Sequence, residues 1–194
     1  GAWGVMDVGL KAYPCARVPQ AAMDGLRDLL QREGLEVGDV ASVTAAFDPS
    51  LEGILDRPNP ENWIEARGSI EFCLGAVLVQ GDATVDQFAD DYVGGAEIRA
   101  AMATVTPRYD ADLGEEFSKY GARVTVVTEA GEEHVAAVPH APGSAAAPLS
   151  EARQREKFLD CTVPVLGRED AESLLALLRS VDDIDDLAAV GDLL

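Results

Sequence analysis

Lysine and histidine are scarce here: three lysines and two histidines stand among 194 residues that carry thirty-five acids, for a formal net charge of −20. A surface of that sign repels phosphate backbones and anionic lipid headgroups, which argues against nucleic acid and membrane as partners. Cysteine is equally sparse. Cys15, Cys73 and Cys161 are odd in number and far apart, a pattern of reduced thiols in a cytoplasm. With His134 and His140 as the only imidazoles and no zinc-type spacing, no metal site is expected. No apolar run reaches the roughly 18 residues of a membrane span, and the first residues lack a basic-then-apolar signal pattern.

A core is nevertheless available. Hydrophobic residues make up 47% of the chain, too many for a disordered acidic polymer. A chain of this length buries roughly 70% of its unfolded surface on folding, without disulfide or metal support.

Periodicity orders the chain. Pro19 suits a first helical turn, and Ala22, Met23, Leu26, Leu29 and Leu30 recur at three- and four-residue steps until Gly34. Residues 40–47 alternate Val43, Ala45, Phe47 with Ser42, Thr44, Ala46, the period of a half-buried strand. Residues 61–80 read as one strongly apolar central helix ending at Gly81. Thr84 with Gln87 forms a capping box for a short helix, and another follows at 96–103. The segments "ARVTVVT" and "EHVAAVP" flank "EAGE" as a β-hairpin, with "ATVTPRYD" as a third strand. The fold class is α+β, a small antiparallel sheet with packed helices, followed by C-terminal helices.

Residues 139–150, "PHAPGSAAAPLS", read as an uncharged linker, which places a domain at 1–148 and C-terminal helices at 149–194. Those helices begin after Ser150 and near Glu169. They carry Leu174, Leu175, Leu177, Leu178, Leu187 and Leu194 and are too short to form their own core, so they are expected to dock elsewhere. The opening "GAWGVMDVGLKAYPC" has no period of its own and reads as continuing from something upstream.

Residues 8–23 contain Lys11 and Arg17 and no acid, just before a helix whose free N–H groups and dipole favour an anion. A carboxylate suits such a place; solvated cations paired with neighbours such as Asp24 are the plainer alternative.

The stretch "LKAYPCAR" ahead of an amphipathic helix resembles the signature opening the second domain of the MmgE/PrpD family. Three further blocks resemble it in order: Arg57-Pro58 with "EARGSIEF" at 65–72, "GDATVDQF", and "APLSEARQREKF". The resemblance implies a lid-type domain with terminal helices that pack back on a helical domain absent from this sequence. It also implies a cofactor-independent carbon–oxygen lyase of the 2-methylcitrate dehydratase kind, from propionate metabolism, acting on small di- or tricarboxylates. The full-length enzyme would be a homodimer, and this portion alone inactive. Within that frame Lys11 is the catalytic residue, and Tyr13, Arg17, Arg67 and Ser69 bind substrate. Tyr13 could instead serve as a packing body with a polar tip, Arg67 could pair within the lid, and Ser69 could cap a helix. Cys15 is expected to be a buried small hydrophobe.

Some positions depart from the family pattern. Gln20 stands where many relatives have a histidine, removing a possible proton carrier. Ile54 occupies the place of a tyrosine important in cis-aconitate decarboxylase, which disfavours that activity. Gln20, with Gly68 in place of a larger side chain, also allows a free-standing, non-catalytic carboxylate-binding module; a third reading is an interaction subunit whose apolar tail docks on a separate helical polypeptide.

Overall fold

The computed structural model describes residues 4, 8–110, 112–183 and 188–191. The chain divides into two units, Gly1–Pro148 and Leu149–Leu194.

The first unit is an α+β layer pair. Helix α1 spans Gln20–Glu33 and buries the expected stripe, with Met23, Leu26 and Leu29 fully covered. Gly34 ends it in the left-handed region at φ 67°, where only glycine is unstrained. Strand β1 (Val40–Phe47) follows and buries Val43, Ala45 and Phe47 on one face.

The expected single helix at 61–80 is two. Helix α2 (Trp63–Ala66) is capped by Asn62, whose side-chain oxygen accepts from the Ile64 and Glu65 N–H groups. Helix α3 (Ile70–Gln80) starts afresh after Arg67-Gly68-Ser69. Ser69 leaves the helical region at φ −100°, ψ 122° and its hydroxyl accepts from the Phe72 N–H, so a cap interrupts the apolar run. Helix α3 is central as expected: Phe72, Leu74, Ala76 and Val77 are all fully buried.

The Thr84–Gln87 capping box is present, on a single 3-10 turn at Val85–Phe88. The short helices α4 (Asp90–Val93) and α5 (Ala96–Ala103) lead to strand β2, Val105–Tyr109. Strands β3 (Ala122–Thr128) and β4 (Glu133–Val138) make the expected hairpin, paired Val124 to Ala136 and Val126 to His134.

The sheet order is β2-β1-β3-β4. It is mixed rather than purely antiparallel, because β1 and β2 run parallel, with Val43 opposite Val105. The helical stretch between them carries the chain back to the starting end, as a parallel connection requires. Helix α1 covers β3 and β4, and α3 packs on α1, α5 and β2. At Gly25 the helix comes so close to the sheet that a Cβ would lie 3.1 Å from a Val138 methyl.

The expected linker is ordered over its first half. Ala141, Pro142 and Gly143 are buried, the Leu10 N–H donates to the Gly143 carbonyl at 2.8 Å, and Ser144 bridges to Ala147. Its Pro, Gly and Ala composition is that of a linker, but it lacks charge and so loses little on burial.

The second unit contains α6 (Glu151–Leu166), capped by Ser150, α7 (Arg168–Arg179), which packs on α6, and α8 (Ala188–Gly191). Leu174 is buried, whereas Leu178 and Val181 are exposed. Leu187 and Leu194 lie outside the described residues. Among the described residues no helix is long and apolar enough to cross a membrane.

Candidate functional site

The residues singled out in sequence gather around the loop that enters α1. Pro19 ends that loop, and the side chain of Gln20 folds back over it instead of facing outward. This glutamine is 1% exposed; its Oε1 accepts the Ala12 N–H at 2.9 Å, and its Nε2 donates to the Tyr13 and Ala16 carbonyls at 3.4 Å each. The Ala16 N–H in turn donates to the Arg67 carbonyl at 2.9 Å, which joins the loop to the break between α2 and α3. Residues fifty positions apart thus share one stretch of surface.

On that stretch the side chains differ in role. Lys11 is exposed. Arg17 is half-buried, its guanidinium 5.4 Å from the Tyr120 ring centroid and pressed against Gly9, where a Cβ would come within 2.7 Å of Nη1. Such stacking on an aromatic face contributes about 0.5–1 kcal/mol and fixes where the planar fork points. Arg67 is exposed and lies 5.0 Å from the Trp63 ring centroid. Among the described residues, none of these three cations has a carboxylate within salt-bridge distance, whereas Arg27 pairs with Asp82 and Arg168 with Glu172.

Tyr13 and Ser69 are different. Tyr13 is 1% exposed and its hydroxyl donates to Asp24 Oδ1 at 3.0 Å. Ser69 is fully buried, capping α3 and reaching Glu71 at 3.4 Å. Both hold the frame on which the cations stand. Cys15 is a buried thiol against the Met23 sulfur, as expected of a small hydrophobe. Cys73, also buried, donates to the Ala66 carbonyl at 3.7 Å, and its thiol is held well above the usual range, first by burial and then by the neighbouring Cys15. Both thiols are buried away from solvent.

The two histidines differ in place, and only His140 belongs to the turn whose Gly143 carbonyl meets the Lys11 loop at Leu10. His134 lies on β4 with Nδ1 3.5 Å from Glu33, near the far end of α1, and His140 is half-buried in the ordered turn after β4. Ile54, at the departure noted above, is 54% exposed. Two surface hollows lie elsewhere: one of about 490 Å³ beside Tyr92 and Glu97, the other of about 370 Å³ between Leu35 and Val79. Among the described residues no group of three or more His, Cys, Asp or Glu could hold a metal ion.

Sequence reading missed three contacts: Gln20 as the pin of the loop, Tyr120 beneath Arg17, and Trp63 beneath Arg67. Only Trp63 carries a local signal, four residues before Arg67 on a helical turn.

The loop that enters α1 thus carries Lys11 and Arg17 without a carboxylate partner among the described residues, and its backbone meets the Arg67 carbonyl. Comparison with known proteins gives the family: the model for the MmgE/PrpD C-terminal domain matches residues 13–183, and the chain belongs to the MmgE/PrpD family. It is 24% identical over 192 residues to cis-aconitate decarboxylase of Homo sapiens, covering 97% of this chain and 40% of that protein. It is 25% identical over 140 residues to cis-aconitate decarboxylase of Mus musculus, covering 72% of this chain and 29% of that protein. The chain thus spans less than half the length of these relatives.

Proposed function

We propose that this chain is the lid-type portion of a cofactor-independent lyase acting on small di- or tricarboxylates, with its proton-transferring groups supplied by a helical domain. The observation that carries the reading is the set Lys11, Arg17 and Arg67, joined through one loop and without a carboxylate partner among the described residues, in a chain with a net charge of −20. Removing a proton next to a carboxylate concentrates negative charge on that carboxylate. A cation fixed beside it therefore stabilises the transition state more than the substrate.

In this reading the exposed Lys11 ammonium faces the carboxylate that gains charge. The Arg17 fork, held by Tyr120, sets a second carboxylate by two parallel hydrogen bonds, and Arg67 completes the rim. Tyr13 and Ser69 act on substrate through the loop and helix they hold. Dehydration of the 2-methylcitrate type is the preferred reaction, because Ile54 stands where cis-aconitate decarboxylation calls for a tyrosine. The two relatives named cis-aconitate decarboxylase keep decarboxylation as the competitor, and product analysis with each acid separates the two. The terminal helices dock on the helical domain, and the complete enzyme is a homodimer of the cytoplasm.

The test is Lys11→Ala in the full-length protein. Loss of one charge-stabilising donor lowers kcat/KM by roughly tenfold to a thousandfold. Unchanged turnover removes Lys11 from the mechanism and the reading with it.

A further inference from the structure

We infer that Gln20 is a positioning residue: its buried amide shapes the loop that carries Lys11. For its effect on turnover the inference rests on the function proposed above. The geometry stands by itself.

Three backbone groups within five residues converge on this one side chain: the Ala12 N–H, the Tyr13 carbonyl and the Ala16 carbonyl. The Ala12 N–H belongs to the peptide that joins Lys11 to Ala12, so the bond at 2.9 Å fixes the plane from which the lysine side chain departs. The other end of the loop is tied at the Ala16 N–H to the Arg67 carbonyl, so the same amide influences the spacing between Lys11 and Arg67.

The chemistry of the position is narrow. The loop presents one donor and two acceptors at a place that is 1% exposed. A primary amide supplies an acceptor and two donors together. A carboxylate would set lone pairs against both carbonyls, a neutral imidazole has one donor, and leucine has none. Buried polar groups of the backbone are almost always paired, so loss of this amide leaves the loop to find water by opening. The glutamine at this position is therefore more than the absence of a proton carrier: it is a non-titrating clamp.

The test combines local amide exchange with kinetics, using Gln20→Leu and Gln20→Glu in the full-length protein. In Gln20→Leu the Ala12 amide should lose at least tenfold in protection while Leu26 and Leu29 of α1 keep theirs. Gln20→Glu retains the acceptor facing Ala12 and should restore part of that protection; it also carries the test if the leucine variant does not fold. Turnover should fall in Gln20→Leu, and adding this change to Lys11→Ala should cost nothing further. An Ala12 amide that stays protected overturns the inference, as does an equal loss along α1, which would make Gln20 a core-packing residue. Full additivity with Lys11→Ala overturns the link to the lysine. If Ala12 responds as expected but Lys11→Ala leaves turnover untouched, the clamp stands and the proposed function falls.

Discussion

A single methyl group at Gly121 should remove a large share of this chain's stability. Gly121 is buried where β3 begins, and a Cβ there would overlap the Pro139 carbonyl oxygen, with the carbonyl carbon at 2.8 Å and Phe117 Cδ1 at 2.9 Å. The oxygen in the way already accepts from the Ser118 N–H at 2.8 Å and the Ser118 hydroxyl at 3.0 Å. Backbone cannot swing aside as a side chain can, so the strand ends must part. Overpacking of this kind costs about 1–3 kcal/mol, and two disturbed hydrogen bonds add about 0.5–1.5 kcal/mol each, for about 2–6 kcal/mol in all. The assay is urea unfolding of Gly121→Ala beside Gly38→Ala, a position with nothing within 4 Å of the new Cβ. With a urea slope of about 1–3 kcal/mol per molar, the first variant should lose about 0.7 M or more from its midpoint and the second almost nothing. Equal midpoints for the two would refute the steric reasoning. The adjacent Tyr120 carries the ring beneath Arg17, so the same variant should also weaken any carboxylate contact made by that arginine.

Other expectations follow from single residues. Ser69→Ala removes the α3 cap and should cost about 1 kcal/mol of stability while leaving KM unchanged; a large rise in KM would show that the hydroxyl touches substrate. Iodoacetamide at pH 8 should label Cys161 readily and spare Cys15 and Cys73 in the folded chain, read by peptide mass spectrometry. Rapid labelling of Cys73 would contradict its burial. The sign of its pH effect is also set: the raised thiol stays neutral where the unfolded chain's thiol ionises, so stability should fall as pH rises above the ordinary thiol range.

Local pattern made α1, β1 and the β3–β4 hairpin legible, because each repeats its own period over enough residues to outvote neighbours. The break at 67–69 was not legible, since the apolar run continues through it and a cap is two atoms meeting, not a composition. The parallel β1–β2 pair was hidden for another reason: strand direction depends on a long connection that no window contains. Residues 139–143 look like a linker by content, yet the Leu10 N–H finds its acceptor there.

The site shows the same division between type and role. "LKAYPCAR" marks the right place, but the motif mixes residues that face solvent with residues that hold the loop. Lys11 is exposed and Arg17 half-buried, while Tyr13, Cys15 and the following Gln20 are at most 3% exposed. Burial separates the two sets: Tyr13 meets Asp24, Cys15 meets Met23 and Gln20 meets the loop backbone, while the Arg67 carbonyl, the Tyr120 ring and the Gly143 carbonyl reach the loop from remote segments. Each makes one contact to the loop. The cations are therefore set by the tertiary fold, and in the proposed reading changes at Gly121 or Gln20 act on the same loop as a change at Lys11 itself.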